Sequence, residues 1–403
     1  MPQELYEPLW DELYKRSKAQ GFSIRGVWIA DVANLGQSSV LNEGKLGNDR
    51  KEITTYTLEL SLPVSLMDGP RSRPSAHDKP LPGANASSTG WDRPQFWGLS
   101  AVGFPPLMHS ETMLILYSID LSLMHPRLLF SVILLDPLLQ LSPNENFVGT
   151  NPPGMVNAVA YRRDLWPSRE AAARSFAKSP MFASWDQRVL ERMVTYGLRD
   201  LPTALYPDTS SENGNADSSV TLTSTKHQEV WTMIRPNYSS RDASGRIQID
   251  RSTHADLDPL AAFVPLYRPE PRSTFLRLAA VRPSVLWLMG GASNVRLDEI
   301  REGIKVTGTG VGGSGGVADG RVKEVTFAKR GHFFPFEIVG ETAQECALWL
   351  GAEMARFRGE EEEWRKARLS RPAVDDLMMD EAFKNVVKPP TMARTRAPRP
   401  TKL

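Results

Sequence analysis

The sequence predicts an α/β protein: a doubly wound, mostly parallel sheet with a helical cap, incomplete at the N-terminus. Three observations predict it. Strand-like segments alternate with helical ones along the chain. The strands Leu128–Leu135 and Val285–Met289 are apolar almost throughout, as strands covered on both faces are. A helical and irregular stretch, from about 140 to 280, separates those two strands as an insertion into the sheet order would.

Taken in order, Leu5, Leu9, Trp10, Leu13 and Tyr14 repeat at helical spacing, and Gly21 stands where a helix ends. Ile24–Val32 reads as a strand, and Asn34–Asp49 as a polar loop. Residues 50–120 hold many Pro, Ser and Arg with no sustained period, so disorder is expected there. Leu121–Arg127 ends a helix at Pro126. Helices are expected over Ser168–Lys178, with a Ser/Glu start signal, and over Trp185–Tyr196. Val322–Phe327 is a further strand, and the last helix runs from Glu341 to about Arg358, followed by a solvated charge run, Glu360–Glu363. The expected organisation is core over 1–49, an aberrant segment over 50–120, core over 121–140, cap over 141–280, core over 281–370 and a disordered basic tail over 371–403.

The 403 residues carry a net charge of +1, which gives no case for nucleic acid or an acidic membrane as partner. The one cysteine, Cys346, sits in the apolar pattern of the last helix and reads as buried, not as a nucleophile. Met1–Glu4 shows no secretory signal, and the apolar run Leu128–Leu141 is too short, and interrupted by Asp136, to span a membrane. Thr401-Lys402-Leu403 resembles the Ser-Lys-Leu address, so the peroxisomal import receptor is an expected partner and the peroxisome the expected location, with the cytoplasm as the alternative.

Two residues point to chemistry. His332 follows a strand and precedes a helix, a position from which an imidazole reaches the carboxyl edge of a parallel sheet and can serve as a general base. Asp136 ends an apolar strand, where a carboxylate can orient that imidazole. After Val285–Met289 the segment Gly290–Asn294 has no carboxylate, which leaves Asp298 as the alternative acid. His109-Ser110-Glu111 is a weak candidate for a nucleophile turn, because Met108 and Thr112 stand where that turn requires glycine. Gly308-x-Gly310-x-x-Gly313 formally fits a dinucleotide fingerprint, but a strand follows it where a helix should; it reads as a flexible Gly/Ser loop. The remaining histidines have no metal-ligand spacing, so no metal or cofactor is expected.

Several blocks together resemble the α/β-hydrolases of fungal toxin-biosynthesis clusters and the related yeast peroxisomal lipase-like proteins. They are Ile29–Val32, Val40–Glu43, Leu46–Asp49, Leu121–Arg127, Leu134–Pro137, Lys226–Glu229, Thr307–Gly316 and Gly331-His332. The resemblance implies a serine hydrolase acting on a small hydrophobic ester or thioester, with His332 and Asp136 as base and acid. It also implies an oxyanion loop and earlier strands ahead of Glu4–Pro8, and a Gly-x-Ser-x-Gly nucleophile elbow shortly before Leu121. Neither is found at those places. The chain is therefore expected to be inactive. The alternative is a binding protein that kept the fold without catalysis.

Residues 50–120 offer an explanation. With the frame shifted one base from Ser65, Met67-Asp68 forces Trp, Trp91-Asp92 forces Gly and Trp97-Gly98 forces Gly. The codons in between permit a strand running into a complete Gly-x-Ser-x-Gly turn over Trp91–Gly98. The segment is expected to mix retained intron with out-of-frame exon.

Overall fold

The computed structural model describes residues 2–27, 34–44, 98–103, 118–125, 128–143, 154–207, 219–237, 241–246, 248–252, 254–263, 266–370 and 372–388. Met1–Glu353 forms one compact unit and Met354–Leu403 a second.

The chain enters the first unit through α1 (Glu7–Ser17), which buries Leu9 and Leu13 on one face and carries Pro8 in its first turn. Residues 22–27 then have no strand pairing among the described residues, so the strand expected over Ile24–Val32 is not formed there through residue 27; residues 28–33 lie outside the described residues. The expected polar loop after residue 34 holds a helix instead, α2 (Gly36–Leu41). Tertiary bonds fix it: Gly36 N–H donates to Ser224 Oγ at 2.8 Å, and Ser39 Oγ to the Thr223 carbonyl at 3.1 Å. No local pattern announces such support.

The sheet begins with β1 (Gly98–Gly103), a strand inside the segment expected to be disordered. Its ladder partner is β2 (Leu129–Leu135), reached through helical residues 118–124, designated α3. The rest of the segment expected to be aberrant, with Ser110, lies outside the described residues up to residue 117.

Between β2 and the next core strand the chain builds an insertion. It contains helices α4 (Arg169–Lys178), α5 (Gln187–Tyr196) and α6 (Lys226–Met233). It also contains short strands β3 (Leu165–Trp166), β4 (Leu198–Asp200), β5 (Val220–Leu222), β6 (Arg235–Pro236), β7 (Ala262–Phe263) and β8 (Leu266–Tyr267). These pair antiparallel in two small sheets, ordered β3-β5-β4 and β6-β8-β7, where the sequence suggested only helix and irregular chain. Strands of two or three residues show no period to read. Local signals do set the helix starts. Ser168 caps α4, Asp186 caps α5, and Thr225 with Gln228 closes a capping box on α6. Within α6, Lys226 bonds Asp164 at 3.2 Å and buried Glu229 pairs with Arg162, so the Lys226–Glu229 block is tied into the insertion's frame. Burial pushes the Glu229 carboxyl up, against the pull of Arg162.

The core resumes with β9 (Ser284–Gly290), α7 (Leu297–Val306) and β10 (Val322–Phe327). Among the described residues the core strands lie in the order β1-β2-β9-β10, all parallel. Val132 stands opposite Val285 and Leu135 opposite Leu288. Because side chains alternate across a strand, Val132, Leu134, Val285, Trp287 and Met289 fall on one face. There they pack with Phe275, Leu278, Ile300 and Ile304. The other face meets α8 (Val339–Leu369): Trp349 Nε1–H donates to Ser131 Oγ at 2.8 Å, and buried Glu353 accepts from Ser284 Oγ. Each large apolar side chain so buried contributes about 1.5–3 kcal/mol.

Between α7 and β10 the glycine-rich loop is ordered, contrary to the flexible loop expected. Gly308, Gly310 and Ser314 N–H groups donate to the carbonyls of Leu278, Ala279 and Val281 at 2.9, 2.7 and 3.0 Å. Gly308, with φ 73°, and Gly315, with φ 96°, adopt backbone that favours glycine.

In the second unit α8 continues through Glu360–Glu363 to Leu369, beyond the expected end near Arg358. The i,i+4 pairs Arg356–Glu360 and Lys366–Glu362 support the extension. A helix over Glu381–Val387, capped by Asp380, follows. No described helix is long and apolar enough to cross a membrane.

Candidate active site

Three strand ends meet at the carboxyl edge of the sheet. Asp136 follows β2, and its N–H donates to the Leu288 carbonyl at 2.7 Å, extending the ladder by one residue. Its φ of 45° lies in the left-handed region, which costs a non-glycine residue of order 1–3 kcal/mol. The contacts of the carboxylate hold it there. Oδ1 accepts the Gly290 N–H at 2.8 Å, and Oδ2 accepts the Ser293 hydroxyl at 2.5 Å and a bond from His332 Nδ1.

His332 arrives on the loop after β10. That loop is clamped to the end of β9: Gly291 N–H donates to the Phe327 carbonyl at 3.0 Å and Ala292 N–H to that of Arg330 at 2.9 Å. The approach leaves no room for side chains. A Cβ at Gly290 would stand 2.5 Å from the Gly331 carbonyl oxygen, and one at Gly291 2.7 Å from Ala328 backbone. The pair reads in the sequence as a segment lacking a carboxylate; its steric role needs three dimensions.

The carboxylate and the imidazole are both buried, at 1% and 7% exposure, so their interaction is little screened by water. A carboxylate accepts only, so Nδ1 carries the proton in this bond. Nε2 then presents a lone pair, and it has no hydrogen-bond partner among the described residues. The arrangement can accept a proton at Nε2 and stabilise the resulting imidazolium through Asp136. The ring lies edge-on to Phe333 at 5.6 Å, and Phe333 faces Trp185 of the insertion at 6.2 Å. Trp185 packs in turn on Phe182 and Phe336, both at 4.8 Å, which makes an aromatic wall beside the imidazole.

The structure thus brings Asp136 and His332 together. It does not bring Asp298, which lies exposed in the first turn of α7, where a carboxylate suits the helix dipole. Ser110 and Thr401, Lys402 and Leu403 lie outside the described residues. A further match escaped the sequence reading: Gly312-Gly313-Ser314-Gly315-Gly316 formally fits Gly-x-Ser-x-Gly. Ser314 precedes β10 and bonds Val281, just ahead of β9, which places it at the amino edge of the sheet, opposite His332. Cys346 is buried, and burial pushes its thiol up to about 12. Among the described residues no group of three or more His, Cys, Asp and Glu could hold a metal ion.

A scan against family models finds no match. The chain is 43% identical over 411 residues, 100% of its own length and 86% of the relative's, to the type I acyl-CoA thioesterase mpaH of Penicillium roqueforti. It is likewise 43% identical over 397 residues to mpaH' of Penicillium brevicompactum, covering 96% of the chain and 83% of that relative. Among solved structures it resembles the peroxisomal α/β-hydrolase Lpx1 of Saccharomyces cerevisiae. The TM-score is 0.51 at 12% identity, over 91% of this chain and 83% of that one, a likeness of fold. The fold is thus that of the α/β-hydrolases, and the whole-length identity places the chain in the family of the mpaH type I acyl-CoA thioesterases.

Proposed function

We propose that the chain carries the acid–base half of a hydrolase site for thioesters of hydrophobic acids, and that its serine nucleophile is lost. One observation carries the reading: the buried bond from His332 Nδ1 to Asp136, with Nε2 left open. In the intact site Nε2 takes the proton of the attacking hydroxyl and returns it to the leaving thiolate, while Asp136 holds the ring and stabilises the imidazolium. The thioester follows from the name of the relatives, and the hydrophobic acid from the aromatic wall of Phe333 and Trp185. Loss of the serine follows from the lack of a Gly-x-Ser-x-Gly turn shortly before Leu121.

The test is incubation of the full chain with a long-chain acyl-CoA, reading released thiol, and labelling with a serine-directed fluorophosphonate. Neither turnover above buffer nor labelling is expected. Turnover that His332→Ala abolishes refutes the loss of the nucleophile. The transcript gives an independent check: a frame that does not spell Gly-x-Ser-x-Gly over the codons of Trp91–Gly98 ends the frame-shift explanation. A chain repaired in that frame and supplied with an oxyanion loop ahead of Glu4 is expected to hydrolyse the acyl-CoA, and His332→Ala to slow it at least a thousandfold, an order of magnitude typical for such residues. Retention of the ligand by the unrepaired chain without reaction marks the second reading, a binding protein, favoured by the same missing turn.

We also propose delivery to the peroxisome through Thr401-Lys402-Leu403. A fluorescent protein fused ahead of residue 1 is expected in peroxisomes, and deletion of the three residues to leave it in the cytoplasm. Diffuse fluorescence of the full fusion refutes it.

A further inference from the structure

We infer that Ser293 is a positioning residue for the Asp136–His332 pair, an inference that rests on the reading of that pair as the acid–base half of the site. Asp136 and Ser293 come from neighbouring strand ends, the first after β2 and the second in the turn after β9. That turn is closed by Ser293 N–H donating to the Gly290 carbonyl at 3.1 Å. The Ser293 hydroxyl then lies 2.5 Å from Asp136 Oδ2, the oxygen that also accepts from His332.

The direction of the hydroxyl proton follows from its two neighbours. Val295 N–H points at Ser293 Oγ at 3.4 Å, a donor that the oxygen can only accept. The carboxylate is an acceptor, so the hydroxyl donates to it. The proton of Ser293 is therefore directed at Oδ2, and the two contacts reinforce each other.

The consequence concerns rotation of the carboxylate. With the Gly290 N–H alone on Oδ1, the group can swing about its last torsion, a broad one for Asp. With Ser293 on Oδ2 both oxygens are pinned, and one orientation presents a lone pair to Nδ1. The hydroxyl touches neither Nε2 nor anything that reacts there; it acts through Asp136.

The test uses the full chain labelled with 15N-histidine and needs no turnover. A proton on Nδ1 held by a buried carboxylate resonates far downfield of the amides and exchanges slowly with water. His332→Gln assigns the signal by abolishing it. Ser293→Ala is expected to broaden the signal, move it upfield and speed its exchange roughly tenfold, as loss of a bond to a charged group implies. Ser293→Thr keeps the hydroxyl and is expected to restore the wild-type signal; Ser293→Cys, a weak donor of similar shape, falls between. An unchanged signal and exchange rate in Ser293→Ala overturn the inference. So does a loss in Ser293→Thr as large as in Ser293→Ala, which assigns the position to packing. Absence of any low-field signal sensitive to His332→Gln in the wild-type chain overturns the pair itself, a different failure.

Discussion

Gly290→Ala puts the clamp between β9 and the His332 loop to the test. The added methyl carbon would stand 2.5 Å from the Gly331 carbonyl oxygen and 2.9 Å from both the Gly331 carbonyl carbon and the Arg330 oxygen. All three are backbone atoms, so no side chain can turn away. The loop must lift by about an ångström, an overpacking cost of roughly 1–3 kcal/mol. Lifting it also stretches the bond from Gly290 N–H to Asp136, a contact with a charged group worth about 1.5–3 kcal/mol. Together these give about 4 kcal/mol, or roughly 5 °C in melting temperature for a chain of this size. Gly331→Ala is the control: it is adjacent to His332, but a Cβ there meets nothing within 4 Å. Thermal unfolding followed by circular dichroism measures both. Gly290→Ala melting within about 2 °C of wild type, or Gly331→Ala losing as much as Gly290→Ala, refutes the reasoning.

Three further outcomes are expected. The Glu12 carboxyl is held at about 2 by hydrogen bonds from Arg16, Arg188 and Lys15, so its contribution is full above the ordinary value of 4.5 and is lost as pH falls toward 2. Glu12→Gln should therefore cost about 1 kcal/mol near neutrality, allowing for screening by water, and nothing at the acid end; urea midpoints against pH in both chains decide it. Thr225→Ala removes the capping box of α6 and should cost about 1 kcal/mol in a urea titration, with Thr225→Ser close to wild type. Cys346 should resist a thiol reagent in the native chain and react once in denaturant; prompt native labelling contradicts its burial.

The legible parts of the fold are those whose signal is local and long enough. β2, β9 and β10 read from apolar or β-branched runs, and α4 from its start signal at Ser168. That Asp136 and His332 converge follows once their strands are parallel, since residues just past the carboxyl ends of such strands share one edge. The hydroxyl of Ser293 and the steric need for Gly290 and Gly291 were not legible, because each is defined by a partner far along the chain. The helix Gly36–Leu41 escaped for the same reason, its support coming from Thr223 and Ser224. The glycine run before β10 misled in the other direction: its composition suggests mobility, yet its amides are spent on Leu278, Ala279 and Val281.

Adjoining strand ends hold Asp136 and Ser293 side by side, joined by one hydrogen bond. On the acid–base reading of the pair, the turn after β9 therefore offers a second place for a carboxylate, held here by an alcohol bonded to the first. A lineage could migrate its acid from one strand to the next by exchanging the two residue types, with the sheet, the histidine loop and the insertion all left in place.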